Sequence, residues 1–228
     1  MKSEAYKISI IIPTLNEQDS IINCLNRLQL LRQLAHEVVL VDGGSNDNTV
    51  LLSNSLCDKI ITSEKSRSIQ MNTGARLASG HCFLFLHADT VLPDNIHELL
   101  SKIHNIENKW GRFDIRLSGH HWLFRVIEKC MNIRSRLTGV VTGDQTLFVG
   151  RELFYKVGAY PEIALMEDIA ISSRLLNYSR PVCIAETVTS SSRRWEKNGI
   201  IKTIIKMWSL RLLYFFRYDT NRLARLYE

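Results

Sequence analysis

Short apolar segments alternate with helical patterns in the first part of the chain, and this alternation constrains the fold more than any other feature. The apolar segments are Ile8–Ile12, Val38–Val41, Lys59–Ile61 and Cys82–Leu86. Helical patterns lie between them, from about 17 to 34, after Asp47 and from Ser68 to Ala78. Strands this apolar need cover on both faces, and intervening helices permit parallel connections. The pattern therefore predicts an α/β fold with a mostly parallel central sheet and helices on both faces.

The second part of the chain is less regular. Strands are predicted at Trp110–Leu117, Thr146–Val149 and Val182–Ala185, and helices at His121–Leu137, Met166–Leu176 and Ile200–Arg217. No linker-like tract rich in Pro, Gly or Ser separates the two parts. One α/β core can fill 228 residues, so a single domain is predicted over 1–228.

Charge and cysteine content narrow the functional class. The 29 basic and 23 acidic residues give a net charge of +6, which suits an anionic partner, but charge alone gives no reason to expect nucleic acid. The five scattered cysteines form no CxxC pair, and the N-terminal segment has no signal-peptide layout. No apolar run is long enough to span a membrane. A cytoplasmic protein is predicted.

Polar motifs follow three of the predicted strands. They are Pro13-Thr14-Leu15-Asn16-Glu17, Asp42-Gly43-Gly44-Ser45 and His87-Ala88-Asp89-Thr90. Ligands of parallel α/β sheets bind beyond the carboxyl ends of the strands. This edge of the sheet is therefore the predicted binding site.

Two of these motifs carry carboxylates with alternative roles. Asp42 can accept a hydrogen bond from a nucleobase or a ribose hydroxyl, or it can simply stabilise the DGGS turn. Asp89 suits Mg²⁺ or Mn²⁺ beside a diphosphate, or it can cap the next helix.

Two later motifs add a candidate base and candidate cations. Glu167 and Asp168 stand at a predicted helix start, where at most one is expected to serve as general base and where acidic residues also favour the helix dipole. Arg193 and Arg194 can clamp a diphosphate or form an exposed basic turn. Trp195 can stack on a sugar or pack in the core.

The order of these motifs resembles the inverting glycosyltransferase family 2, whose members have the GT-A nucleotide-diphospho-sugar transferase fold. The likeness is greater to a short bacterial subgroup with QMNxGA, FLHADTxLP, GRFD, SRLTG, GDQ, LMED and RRWE motifs. These motifs correspond to Gln70–Ala75, Phe85–Pro93, Gly111–Asp114, Ser135–Gly139, Gly143–Gln145, Leu165–Asp168 and Arg193–Glu196.

The resemblance implies a set of site residues. Those that would bind the donor are Pro13, Asn16, Glu17, Asp42, Arg67, Gln70, Asn72 and Arg194. Those that would border the acceptor are Asp144, Gln145 and Trp195. Asp89 would bind Mg²⁺ or Mn²⁺, and His87 replaces the first Asp of the usual DxD motif as a second candidate ligand. Asp168 would be the catalytic base.

The resemblance also implies an activity. The chain would transfer a sugar from a UDP- or GDP-linked donor to a hydroxyl acceptor, with residues 1–109 binding the nucleotide sugar and residues 110–228 the acceptor. The alternatives are a non-catalytic nucleotide-sugar-binding protein and a nucleotidyltransferase of related fold. The latter usually has a Gly-rich loop after the first strand, which PTLNE lacks.

The C-terminal segment 200–217 predicts an amphipathic helix. On a helical wheel, most of its apolar residues spread over one broad face, and Lys202, Lys206 and Arg217 cluster opposite. Leu210 and Leu213 are exceptions, and Arg211 falls inside the apolar face. Such a helix suits an anionic membrane interface, where the acceptor would be lipid-linked, or packs on the core or a second subunit. We expect peripheral association with the inner face of the cytoplasmic membrane.

Overall fold

The structure, a computed structural model, describes residues 6–103 and 105–227. The eight strands in these ranges are β1 (Ile8–Thr14), β2 (Glu37–Asp42), β3 (Lys59–Thr62), β4 (Cys82–Phe85), β5 (Thr90–Val91), β6 (Trp110–Leu117), β7 (Phe148–Gly150) and β8 (Val182–Ser190). The helices are α1 (Gln18–Arg27), α2 (Gln29–Gln33), α3 (Thr49–Ser53), α4 (Arg67–Leu77), α5 (Ile96–Ser101), α6 (Trp122–Thr138), α7 (Arg151–Lys156), α8 (Glu167–Leu176), α9 (Arg193–Asn198), α10 (Ile200–Phe215) and α11 (Thr220–Tyr227). Two 3₁₀ turns lie at Ile106–Asn108 and Gly143–Gln145.

All eight strands form one sheet in the order β3-β2-β1-β4-β7-β6-β8-β5. The first four strands along the chain are parallel, and β6 pairs in parallel with β8, whereas β7 and β5 run antiparallel to their neighbours. The β1–β2 register aligns Thr14 with Asp42, so the polar motifs after these strands meet at one edge. The predicted mostly parallel sheet is confirmed.

Helices cover both faces of the sheet. Along β1, Ile10 and Ile12 belong to one buried cluster, and Ile11 belongs to another on the opposite face. On that second face α4 packs close to the sheet at Gly74, where an added Cβ would lie 2.5 Å from a side-chain carbon of Ile11. The alternation of buried side chains explains why these strands read as continuous apolar runs.

Two predicted elements differ in the structure. The long helix predicted from about 17 to 34 is two helices, α1 and α2. The segment after Asp89 forms the short strand β5, which pairs with the end of β8, instead of starting a helix. Residues 1–5, part of the segment predicted to lack a signal peptide, lie outside the described residues. The five cysteines are free thiols.

The C-terminal helix α10 has two apolar faces where the sequence predicts one. Leu210, an exception on the predicted wheel, is buried at 2% exposure beside Leu223 of α11. The apolar side chains that remain exposed form a stripe at alternating spacings of four and three: Ile201, Ile205, Trp208, Leu212 and Phe215. Among the residues described, no helix is long and apolar enough to cross a membrane.

Candidate active site

A cavity of about 400 Å³ opens at the carboxyl ends of β1 and β4. The loops after these strands form one wall, and the 3₁₀ turn, the start of α8, the loop before α9 and the C-terminal helices form the rest. Nine of the residues singled out in the sequence line it: Pro13, Glu17, Arg67, His87, Asp89, Asp144, Asp168, Arg194 and Trp195. The fold therefore brings distant motifs together, as expected for the carboxyl edge of a parallel sheet.

The 3₁₀ turn at Gly143–Gln145 holds Asp144 close to His87. The His87 Nδ1 lies 3.5 Å from the Asp144 Oδ1. Burial acts to raise the pKa of Asp144, but the hydrogen bond and charge of His87, together with Arg67 and Arg211, lower it below its ordinary value. The other edge of the imidazole faces Gly143, where an added Cβ would lie 2.5 Å from Nε2. Only glycine fits there without moving His87.

The start of α8 places two adjacent carboxylates in the cavity wall. Met166 has a left-handed backbone conformation with φ of 70°, which is costly for a non-glycine residue and marks functional sites. Glu167 and Asp168 both line the cavity. Glu167 is 5% exposed, and burial and the charge of Asp168 raise its pKa despite Arg67, whose Nη1 lies 3.9 Å away.

Asp168 is held by backbone hydrogen bonds. Its Oδ2 accepts from the Gly143 N–H at 3.0 Å, and its Oδ1 accepts from the Ile169 N–H at 2.8 Å. The first bond ties α8 to the turn that carries Asp144. These contacts fix the direction of the carboxylate while leaving it in the wall of the cavity.

Cationic side chains also line the cavity. The Arg194 guanidinium lies 3.7 Å from the centroid of the Tyr227 ring and donates to the Tyr227 carbonyl at 3.1 Å. Arg193 lies 3.5 Å from Glu17. These contacts hold positive charge in the wall of the cavity, where it would attract an anionic ligand. Trp195 packs against the small core formed by β6 and α6 while also reaching the cavity.

Two residues of the predicted donor site instead brace the fold. The buried Gln70 amide donates to the carbonyls of Thr14 and Val41, each at 2.8 Å, and thereby joins the ends of β1 and β2. The buried Asn72 amide exchanges two hydrogen bonds with the backbone of Tyr160, at 2.9 and 3.0 Å. Neither lines the cavity, because a buried amide must satisfy its own hydrogen bonds and these do so with backbone.

Three more predicted residues lie outside the cavity. The Asp42 carboxylate accepts from the Gly44 and Ser45 N–H groups, so the DGGS segment forms the turn that was its alternative interpretation. Asn16 links this turn to the loop after β1 by accepting from the Asn46 N–H. Gln145, predicted at the acceptor side, is fully buried and donates to Ser135 of α6.

Several residues of the cavity wall were not among the predicted site residues. They include Thr142, Ser190, Ser191, Thr203, Met207, Arg211 and Tyr227. Only Arg211 left a signal, as a charged residue inside the apolar face of a helix. The others lie before the 3₁₀ turn at Gly143–Gln145, at the end of β8 and on α10 and α11, and no local sequence pattern indicates that these segments meet at the cavity.

Comparisons with known proteins identify a family. Residues 9–153 match the family model described as Glycosyl transferase family 2. The chain is 27% identical over 160 residues to "Uncharacterized glycosyltransferase YibD" of Escherichia coli (strain K12), a match that covers 66% of this chain and 45% of that protein. The chain thus spans less than half the length of this relative.

Solved structures share the fold. S. aureus TarS 1-349 in complex with UDP-GlcNAc superposes with a TM-score of 0.67 at 18% identity, covering 81% of this chain and 58% of that one. The mannosyltransferase PcManGT from Pyrobaculum calidifontis, in complex with GDP-Man and Mn2+, gives a TM-score of 0.59 at 17% identity, covering 80% and 56%. The architecture is the GT-A fold, and because the family model matches most of its length, the chain belongs to glycosyl transferase family 2.

Proposed function

We propose that the chain is an inverting glycosyltransferase that transfers a sugar from a UDP- or GDP-linked donor to a hydroxyl acceptor. The observation that carries this proposal is the single cavity in which Asp168 lies with Asp89, Asp144 and several arginines at the carboxyl edge of the sheet. The donors in the TarS and PcManGT complexes support both nucleotides. The motifs of the sequence support membership of the short bacterial subgroup.

The two parts of the chain have different proposed roles. In this proposal, residues 1–109 bind the nucleotide sugar, with Pro13, Glu17 and Arg67 in contact with it and the Asn16–Asp42 loop pair framing the pocket. Residues 110–228 supply the base, the acceptor side and Arg194, which would stabilise the departing diphosphate. Arg67 and Arg194 both line the cavity, within reach of a diphosphate bound there.

Asp168 is the proposed general base. Its carboxylate is oriented by the Gly143 N–H and faces the cavity, where an acceptor hydroxyl can donate to it. The acceptor oxygen then forms a bond to the anomeric carbon as the bond from that carbon to the diphosphate oxygen breaks. Asp168 takes the hydroxyl proton, and the single displacement inverts the anomeric carbon.

The cavity has a donor set suited to Mg²⁺ or Mn²⁺. Asp89 and Asp144 supply carboxylate oxygens in one cavity, which such hard cations prefer together with phosphate oxygens and water. Among the described residues no cluster of three or more His, Cys, Asp or Glu side chains surrounds a metal position, so phosphate and water would complete the shell. When bound, the metal would neutralise charge on the diphosphate. Both edges of the His87 ring face protein, at Asp144 and Gly143, which supports His87 as a residue that orients Asp144.

The exposed stripe of α10 supports a membrane-associated acceptor. Trp208 is 73% exposed and Phe215 is 79% exposed, and Lys202 is exposed on the same helix. Aromatic and basic side chains in this arrangement suit an anionic membrane interface. We propose that this stripe binds the inner face of the cytoplasmic membrane, where the acceptor is lipid-linked.

A donor panel tests the activity. The protein is incubated with UDP- and GDP-sugars and Mn²⁺, and released nucleotide is separated by chromatography. A glycosyltransferase releases UDP or GDP from one donor, and a nucleotidyltransferase would instead consume nucleoside triphosphate and release pyrophosphate. Binding of a sugar nucleotide without any turnover, in the presence of a membrane extract as acceptor source, would indicate a binding protein.

Liposome flotation tests the membrane contact. We expect the protein to float with vesicles that contain acidic lipid, less so as salt rises, and to lose binding in Trp208→Ser and Lys202→Glu variants. Leu226→Ser, which changes an apolar side chain exposed on α11 outside the stripe, is the matched control. If the wild-type protein stays unbound at low salt, α10 has another partner and a soluble acceptor is favoured.

A further inference from the structure

Two arginines beside the cavity have buried N–H donors without an acceptor in the protein. They are Arg134 on α6 and Arg211 on α10. The Nε and Nη2 of Arg134 and the Nε of Arg211 are buried without a hydrogen-bond partner. Within residues 6–103 and 105–227, neither side chain forms a salt bridge. Buried charged donors left unpaired are costly, so such an arrangement needs a reason.

The two guanidiniums also repel each other. Burial, followed by the positive charge of Arg211, lowers the pKa of Arg134 to about 10. Burial also lowers the pKa of Arg211. Asp168 and Asp144 oppose these shifts from a distance, but neither carboxylate lies within 4 Å of either arginine. By contrast Arg136, two residues further along α6, makes a two-pronged pair with Asp114 at 2.7 and 2.8 Å.

The pair lies where the catalytic cavity meets a second one. Arg211 and Ile169 line both the cavity that contains Asp168 and a neighbouring cavity of about 790 Å³. Arg134 lines the second cavity together with the aromatic side chains of Tyr214 and Phe215. Arg211 therefore lies at the boundary of the two cavities, and Arg134 lies in the second.

We infer that Arg134 and Arg211 bind an anionic group of the acceptor, a phosphate or a carboxylate, and so place its hydroxyl beside Asp168. Two convergent guanidiniums are suited to planar or tetrahedral oxyanions, which accept several N–H donors at once. An anion there would offset the positive charge of the two guanidiniums. This inference rests on the proposed function, since it deepens the acceptor side of the same site.

The test uses two probes, inorganic phosphate and dodecyl phosphate below its micelle concentration. Thermal unfolding is followed for the wild-type protein and for Arg134→Gln, Arg211→Gln and Arg211→Lys, with the donor site saturated by the nucleoside diphosphate that binds best. At about ten times the dissociation constant we expect wild-type melting to rise by roughly 3–6 °C, and the Gln variants to lose this shift. Arg211→Lys should keep part of it. Arg225→Gln, an exposed arginine on α11, has the same loss of charge and should behave as wild type.

The probes separate the sources of the anion. A shift with both supports an anion subsite for soluble or lipid phosphates, and a shift with dodecyl phosphate alone supports a lipid phosphate whose chain occupies the apolar cavity. The inference would be overturned if neither probe raised the melting temperature of the wild-type protein, or if the Gln variants showed the same shift as the wild-type protein. Nucleoside diphosphate binding is measured in every variant, and its retention with no phosphate effect would overturn this subsite while leaving the proposed function intact.

The stability of the unliganded variants gives a second readout. Removing one member of a repelling pair should leave the melting temperature unchanged or raise it, whereas loss of a structural arginine would lower it. A marked fall in melting temperature in Arg134→Gln and Arg211→Gln, with the same fall in Arg211→Lys, would show that the two arginines stabilise the fold instead of binding an anion.

Discussion

The two parts of the chain treat their buried polar groups differently. In the first part, Asp42, Gln70 and Asn72 all hydrogen-bond to backbone: Asp42 within its own turn, Gln70 to the ends of β1 and β2, and Asn72 to Tyr160. In the second part, Arg134 and Arg211 have buried donors without partners. These three side chains therefore stabilise the frame, whereas the two arginines of the second part keep donors that the protein does not pair.

This difference separates the residues that form sequence motifs from the residues proposed to act on the substrates. Motif residues of the first part are recognisable in sequence because the fold needs them, and several do not touch the cavity. Residues that the second part contributes, such as Asp168 and Arg211, face the cavity from elements far apart in the chain. Substitutions in the two parts should therefore differ in whether they mainly lower stability or mainly lower activity.

The largest effect is expected for Asp168→Asn. Removing the general base should lower turnover by roughly 10²–10⁴-fold while leaving melting temperature and donor binding near wild type. Steady-state transfer and isothermal titration with the donor measure the two quantities. Asp94→Asn, at an exposed position, is the matched control. Near-normal transfer by Asp168→Asn would move the base to Glu167 or Asp144.

Metal removal comes next. Activity should be lost in EDTA and return with Mn²⁺ or Mg²⁺, and Asp89→Ala should abolish that return, because a carboxylate ligand from the first part is then missing. Activity is assayed across a metal titration for both proteins. Full turnover in chelator would mean that Arg194 and its neighbours alone stabilise the leaving diphosphate.

Asn72→Ala should damage stability instead of chemistry. The substitution leaves the buried Tyr160 N–H and carbonyl without their partner, at a cost of about 2–4 kcal/mol, or roughly 5–10 °C in melting temperature. Donor affinity measured below the transition should stay within about twofold of wild type. The exposed Asn26→Ala on α1 serves as control. Loss of donor binding at an unchanged melting temperature would return Asn72 to the donor site.

The smallest effect concerns acid stability of the first part. The buried His36 accepts from the Ile8 N–H at 3.2 Å and contacts His97, and burial followed by the charges of His97 and Lys7 lowers its pKa to about 4. The folded state then favours neutral His36, so stability is complete above the unfolded pKa of about 6.5 and falls as pH drops towards 4.

At pH 5.5 this contribution amounts to a loss of about 1 kcal/mol relative to pH 7.5. Denaturant unfolding at the two pH values measures it. His36→Gln keeps an acceptor for Ile8 without a titrating ring and should show a smaller loss. An equal loss in both proteins would place the acid sensitivity elsewhere.

The sequence predicts well what short-range patterns encode. The parallel strands follow from apolar runs such as Val38–Val41, and the position of Asp89 follows from the strand before it. The roles of buried amides do not follow, because the partner of Asn72 is 88 residues away. Strand β5 was missed since its two residues gain their conformation only by pairing with β8. Arg211 stood out in the sequence, but its meaning depends on the approach of α10 to α6.

The most direct test of the account is the stereochemistry of slow donor hydrolysis, in which water takes the place of the acceptor. The protein is mixed with the UDP- or GDP-sugar that binds best, and the first-formed free sugar is observed by ¹H NMR before it mutarotates. We predict a sugar of inverted anomeric configuration from wild type and none above background from Asp168→Asn. A sugar of retained configuration, or equal hydrolysis by the two proteins, would contradict the assignment of Asp168 as the base of an inverting transfer.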